Sequence, residues 1–109
     1  MDERTMRARM LLGDAAIEKL RNSHVAVFGL GGVGSWCAEA LARSGVGALT
    51  LIDQDTVSES NINRQLCALG STVGQSKAGV MAARIKDINP DAAVRTIAGC
   101  YSAATRDGF

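Results

Sequence analysis

Two short strings hold residues whose types and spacing could bind a nucleotide polyphosphate. The first, Gly29-Leu30-Gly31-Gly32-Val33-Gly34-Ser35, follows the apolar run His24-Val25-Ala26-Val27-Phe28. In a Gly-x-Gly-x-x-Gly loop between a strand and a helix, Gly29 permits the tight turn. Gly31 removes a side chain where phosphate oxygens must approach the backbone, and Gly34 lets the helix pack close to the strand. Gly32 stands near the helix start, where free N–H groups and the helix dipole favour an anion. The second string runs from Asp53 to Gln65 and follows another apolar run, Ala48-Leu49-Thr50-Leu51-Ile52. Asp53 lies nineteen residues after Gly34, near the spacing of an acid that accepts hydrogen bonds from ribose hydroxyls.

These features fit a nicotinamide enzyme as well as an ATP-using one. Asn61, Arg64 and Lys77 separate the two. They follow the second strand, in a loop and at a helix N-terminus, on the carboxyl side of the sheet where ligands bind. A triphosphate carries more charge than a dinucleotide's bridging pyrophosphate, and two cations with an amide donor match that need. A lysine in a first helical turn opposes the dipole, which favours a ligand there. The bland alternatives stay open: a surface ion pair of Arg64 with Glu59, and a solvated Lys77. No Gly-x-x-x-x-Gly-Lys-Ser/Thr string is present, so a P-loop is excluded.

The elements that must position these residues can be read from periodicity and punctuation. Residues 3–22 read as helical, interrupted at Gly13, with Asp14 placed to cap the second piece. His24–Phe28 reads as a buried parallel strand, 32–43 as a helix ending before Ser44-Gly45, and Ala48–Ile52 as the second strand. Residues 53–75 read as loop and short turns. Ser76 caps a helix over 77–88, with Met81, Ile85 and Ile88 as its apolar stripe and Asn89-Pro90 as its stop. Ala93–Ala98 is the third strand, and residues 103–109 read as a loop. The order α, β, α, β, loop, α, β implies a parallel sheet with helical crossovers.

Composition bounds the remaining classes. The chain has 109 residues, 47% hydrophobic and 21% charged, with a net charge of +1. That balance gives no global argument for nucleic acid or membrane. Nine of the twelve basic residues are Arg, a residue suited to bidentate grip on phosphates. Cys37, Cys67 and Cys100 are odd in number and lack metal-ligand spacing, so free thiols in the cytosol are expected. No apolar run reaches membrane-spanning length, and Met1-Asp2-Glu3-Arg4 leads into no signal-type core. Cys37, Trp36 and Phe28 are expected in the core, and His24 in a structural role. Cys67 falls near the presumed site without a histidine partner. The strand count is low for a doubly wound nucleotide fold, so the chain reads as a truncated product.

The strings resemble the ThiF/MoeB/HesA family of ubiquitin-activating-type adenylating enzymes. The shared residues are Gly29-Leu30-Gly31-Gly32-Val33-Gly34-Ser35, Asp53-x-Asp55-x-Val57, Ser60-Asn61-Ile62-Asn63-Arg64-Gln65 and Val73-Gly74-Gln75-Ser76-Lys77, and the match runs from about Arg4 to Tyr101. Its nearest branch looks like the tRNA threonylcarbamoyladenosine dehydratases. Ala42-Arg43-Ser44-Gly45-Val46-Gly47, Gln65-Leu66-Cys67-Ala68-Leu69 and Arg84–Pro90 carry that finer likeness.

The resemblance implies an α/β fold: the N-terminal half of a Rossmann-like adenylating domain, with N-terminal helices over 1–22 and a truncated core over 23–109. It implies ATP as cofactor, with Asp53 on the ribose, and Asn61, Arg64 and Lys77 on the phosphates. Gln65 would support that loop, and Asp55 would serve the site or the loop's structure. Arg7, with Arg4 as neighbour, matches an arginine that reaches the partner subunit's site, so a homodimer is implied. The family's magnesium-binding aspartate lies on a further strand, so no metal ligand is assigned here, and the chain alone is expected not to turn over. The implied substrate is threonylcarbamoyladenosine in tRNA, with a cysteine-desulfurase or sulfur-acceptor system as a further partner. Two alternatives remain: adenylation of a sulfur-carrier protein's C-terminus, and a non-catalytic nucleotide-binding or dimerisation module.

Overall fold

The computed structural model describes residues 3–99 together with Ser102 and Ala104. The expectations for Cys100, Tyr101 and most of 103–109 therefore lie outside the described residues. After a 3-10 turn at Glu3–Thr5 come α1 (Met6–Leu12), α2 (Asp14–Arg21), β1 (His24–Phe28), α3 (Gly34–Arg43), β2 (Ala48–Ile52), a 3-10 turn at Glu59–Asn61, α4 (Lys77–Ile88) and β3 (Ala93–Ile97). The strands form one parallel sheet in the order β1-β2-β3, with Val27 opposite Leu51 and Leu51 opposite Thr96.

Two parallel crossovers that step in the same direction place their helices on the same face of a sheet. α3 packs on β1 and β2, α4 packs on β2 and β3, and the two helices pack on each other. The core lies between them and the sheet. Leu49, Leu51, Met81 and Ile85 are fully buried there, beside Ala38 and Ala42. Burying side chains such as Met81 and Ile85 contributes about 1.5–3 kcal/mol each. That outweighs the roughly 1 kcal/mol that Gly79 costs in the first turn of α4. Ser76 caps α4 as expected, its Oγ accepting from the Gly79 N–H at 3.3 Å.

The one-sided layering corrects three expectations. β1 is not a buried strand: Val27 faces the core, while Phe28 is 54% exposed on the opposite face. With Thr50, Arg95 and Ile97, that face lines an open groove. On α3 the inward stripe is Ser35, Ala38, Glu39 and Ala42, so Trp36 (56% exposed) and Cys37 point away from the core. A crossover helix buries only the stripe that meets the sheet. The N-terminal helices behave differently again. They sit at the amino end of the sheet, where the Gly47 N–H donates to Leu20 O at 3.1 Å and Thr5 lies against Gly45. Gly13, not Asp14, is the N-cap of α2, and the Asp14 carboxylate instead pairs with Arg9 at 2.8 Å. His24 is structural as expected, its Nε2 bonded to Thr50 Oγ1 at 2.6 Å.

Glu39 is the ionic link between the two crossover helices. Its carboxylate accepts from the Arg84 Nε–H on α4 and, at 3.2 Å, from the Arg43 Nε–H on α3. The hydrogen bond from Arg84 holds the Glu39 carboxyl below its ordinary value of 4.5; burial opposes this and Arg43 adds to it. A carboxyl whose folded-state pKa is depressed contributes stability above its unfolded-state pKa and loses it as pH falls through the folded-state value. The difference in melting temperature between the chain and a Glu39→Gln variant should therefore be largest near neutral pH and shrink below about pH 4.5. A gap that stays constant from pH 7 to pH 3 would contradict the ionic link.

Candidate functional site

The glycine loop leaves β1 at Gly29, which adopts φ 87°, a conformation that L side chains rarely take. The N–H of Gly29 still belongs to the sheet, donating to Ile52 O at 2.7 Å. The chain then turns sharply into α3. A Cβ on Gly34 would lie 1.8 Å from Gly29 O, so only glycine allows α3 to begin this close to the strand. The Gly32-Val33 segment is a turn, and the helix starts two residues later than the sequence suggests.

Asp53 joins this loop to the end of β2. Its Oδ2 accepts from the Leu30 N–H and its Oδ1 from the Asp55 N–H, each at 2.7 Å. The residue is 9% exposed. A carboxylate has about four lone-pair sites, so acceptor capacity remains on the side facing solvent. Gly29, Asp53 and Asp55, with Phe28, Ile52, Gln54 and Gly99, line a cleft of about 400 Å³ at the carboxyl ends of the three strands.

The segment after β2 folds back over the glycine loop. Asn61 is buried, its Oδ1 accepting from the Ser58 N–H at 2.9 Å. The Arg64 Nη1 donates to Ser60 O and to Asn63 Oδ1, so no pair with Glu59 forms. The Arg64 stem lies against Gly32, where an added Cβ would be 3.8 Å from its Cγ. Gln65 is buried and its Nε2 would meet a Cβ on Gly31 at 3.7 Å. Cys67 sits beneath, its thiol 3.8 Å from Leu30 O. Burial pushes that thiol up, with Lys77 opposing and Asp53 adding.

Lys77 is brought in from below the loop. The Val57 N–H donates to Gln75 O and the Gly74 N–H to Val57 O, both at 2.8 Å, and the Lys77 N–H donates to Asp55 O at 3.1 Å. These bonds pin the first turn of α4 beside the Asp53–Asp55 turn. Lys77 is 7% exposed, so it is not the solvated lysine of the bland reading. Among the described residues, its ammonium has neither a hydrogen-bond acceptor nor a carboxylate within ion-pair distance. An ammonium without a counter-charge at a helix N-terminus is unfavourable. An anion at this position removes that penalty.

The fold therefore gathers Gly29, Gly31, Gly32, Gly34, Asp53, Asp55, Asn61, Arg64, Gln65 and Lys77 around one loop. It does not gather Arg7. That residue is exposed on α1, which begins at the amino end of the sheet, and no described contact joins it to the others. No group of three or more His, Cys, Asp or Glu that could hold a metal stands together among the described residues. No helix among them is long and apolar enough to cross a membrane. Ser35 and Trp36 also touch the site, through bonds that their residue types alone did not disclose.

Comparison with known proteins bears on the family and the fold. The model of the ThiF family matches residues 3–107. The tRNA threonylcarbamoyladenosine dehydratase of Bacillus subtilis (strain 168) is 52% identical over 103 residues, which cover 94% of this chain and 41% of that protein. The molybdopterin-synthase adenylyltransferase of Escherichia coli (strain K12) is 44% identical over 80 residues, covering 73% of this chain and 32% of that protein. The crystal structure of the E. coli dehydratase TcdA in complex with ATP superposes with a TM-score of 0.93 at 46% identity, over 94% of this chain and 42% of that one. The chain thus spans about two-fifths of the length of the dehydratases it resembles. With the family model matching nearly the whole chain and a relative 52% identical over 94% of it, the chain belongs to the ThiF family.

Proposed function

We propose that this chain binds ATP for the adenylation of a carboxylate, and that the carboxylate belongs to threonylcarbamoyladenosine in tRNA. The observation that carries the ATP reading is the largely buried Lys77 side chain, unpaired among the described residues, at the start of α4 beside the Asp53–Asp55 turn. The dehydratase relatives, at 52% identity against 44% for the molybdopterin-synthase relative, support the substrate.

In this reading the glycine loop and the first turn of α3 receive the phosphates on backbone N–H groups. Arg64 and Lys77 offset the charge that develops as pyrophosphate leaves. Asn61 donates its amide N–H to a phosphate oxygen, Gln65 braces the loop under Arg64, and Asp53 accepts from the ribose hydroxyls with its remaining lone pairs. Asp55 shapes the turn that carries both Asp53 and Lys77. A carboxylate oxygen attacks the α-phosphate, giving an acyl-adenylate and pyrophosphate. A nitrogen or oxygen of the same modified nucleoside then attacks the activated acyl carbon and closes a ring, and AMP leaves with the carboxylate oxygen. Mg2+ would shield phosphate charge when bound, but no residue assigned here holds it. A cysteine-desulfurase or sulfur-acceptor partner finds no support in the described residues.

The second part of the proposal is a homodimer. α1 exposes Met10 (81%), Leu11 (85%) and Leu12 (55%), an apolar surface larger than a solvated helix of seven residues needs. We propose that a second copy covers it and that Arg7, on the same helix, reaches the neighbour's phosphates.

Nucleoside mass spectrometry of tRNA tests the substrate. A strain lacking the gene should retain linear threonylcarbamoyladenosine. The wild-type gene should restore the cyclised form, and Lys77→Ala should restore less than a tenth of it, the scale of one lost charged hydrogen bond or more. An unchanged cyclised fraction in the deletion, or loss of sulfur-carrier products instead, would contradict the dehydratase reading. Sharing in trans makes a separate prediction. Arg7→Ala and Arg64→Ala genes, each defective alone, should together restore part of the cyclised nucleoside. Failure to do so when mixed dimers are shown to form would contradict the homodimeric site.

A further inference from the structure

Arg64 has no rigid attachment of its own to the glycine loop. Its guanidinium is tied inside its own segment, to Ser60 O at 3.1 Å and Asn63 Oδ1 at 2.9 Å. Its distance from the loop is therefore set by how the whole segment from Asn61 to Leu66 is seated. Two consecutive residues on the first turn of α3 do the seating. Ser35 is fully buried; its Oγ donates to Gly31 O at 2.6 Å and accepts from the Leu66 N–H at 3.1 Å. Trp36 is half exposed, and its indole Nε1–H donates to Arg64 O at 3.2 Å. Adjacent helical residues point about 100° apart, so the pair grips the segment at two places, Arg64 and Leu66, from one turn. One hydroxyl thereby links the glycine loop to the segment, and one indole holds the carbonyl of the cationic residue itself.

We infer that Ser35 and Trp36 are positioning residues that register Arg64 onto the glycine loop for a nucleotide's phosphates. The inference rests on the proposed reading of Arg64 as a phosphate ligand and adds what aims it. The Trp36 bond is exposed to water, so its net contribution to folding is small. Its effect is instead on where Arg64 stands when the phosphates arrive. Loss of the indole N–H should weaken binding of the phosphates and leave the nucleoside alone.

The test uses the chain with ATP and with adenosine as probes, and with Trp36→Phe, which keeps the ring and removes the donor. Trp36→Phe should weaken ATP binding by roughly three- to tenfold, the scale of one lost hydrogen bond. Its adenosine affinity and melting temperature should stay near those of the parent chain. In an Arg64→Ala background the same change should have no further effect on ATP, because the two residues act through one interaction. Ser35→Ala should weaken ATP in the same direction, with a lower melting temperature, since it leaves the part-buried Leu66 N–H without its partner. If Arg64→Ala leaves ATP affinity unchanged, the reading of the site itself fails. If Arg64→Ala weakens ATP but Trp36→Phe does not, the positioning inference alone is overturned. It is also overturned if Trp36→Phe weakens ATP and adenosine equally, or still weakens ATP in the Arg64→Ala background.

Discussion

The contact on which the rest of the site depends is the approach of Gly34 to the carbonyl of Gly29, where an added Cβ would sit 1.8 Å from the oxygen. It seats the first residue of α3 on the end of β1. From there α3 acts as a ruler. Its first turn carries Ser35 and Trp36, which hold the Arg64 segment. Its middle carries Glu39, which binds Arg84 and so fixes α4. The first residue of α4 is Lys77. Both cations of the site thus lean on one helix, with Lys77 also pinned through its own N–H to Asp55 O.

Electrostatics explains why the arrangement suits a polyphosphate. The fold brings the N-termini of two helices, an arginine and a covered lysine to one end of the sheet, and it offsets them locally with little. The Asp53 carboxylate is engaged by the backbone N–H groups of Leu30 and Asp55, and Glu39 is engaged by Arg43 of α3 and Arg84 of α4. A ligand with several negative charges completes what the protein leaves unbalanced. A dinucleotide's bridging pyrophosphate brings less negative charge to the same two cations.

Much of the fold was legible in the sequence because local rules and tertiary context agree. Val27, Leu49, Leu51, Met81 and Ile85 alternate or repeat with the period of their element, and Ser76 is both the right residue type and the actual cap of α4. The misreadings share a cause. Phe28, Trp36 and Cys37 were expected inside because they are apolar and lie in core elements, yet β1 and α3 each meet the core with one face only. Periodicity says which residues share a face, not how many faces are covered. Asp14 was expected as a cap, but Gly13 takes that position and Asp14 pairs with Arg9. The site's residue types were legible from the strings around Gly29 and Asp53. The Ser35 and Trp36 links were not, since each bonds a backbone carbonyl or N–H about thirty positions away.

The central claim is that the loop, Arg64 and Lys77 form a site for a nucleoside triphosphate rather than a dinucleotide. Calorimetric titration of the purified chain with ATP and, separately, with NAD tests it most directly. The account predicts heat of binding with ATP, lost in Lys77→Ala, and none with NAD at the same concentration. Binding of NAD without binding of ATP would contradict it.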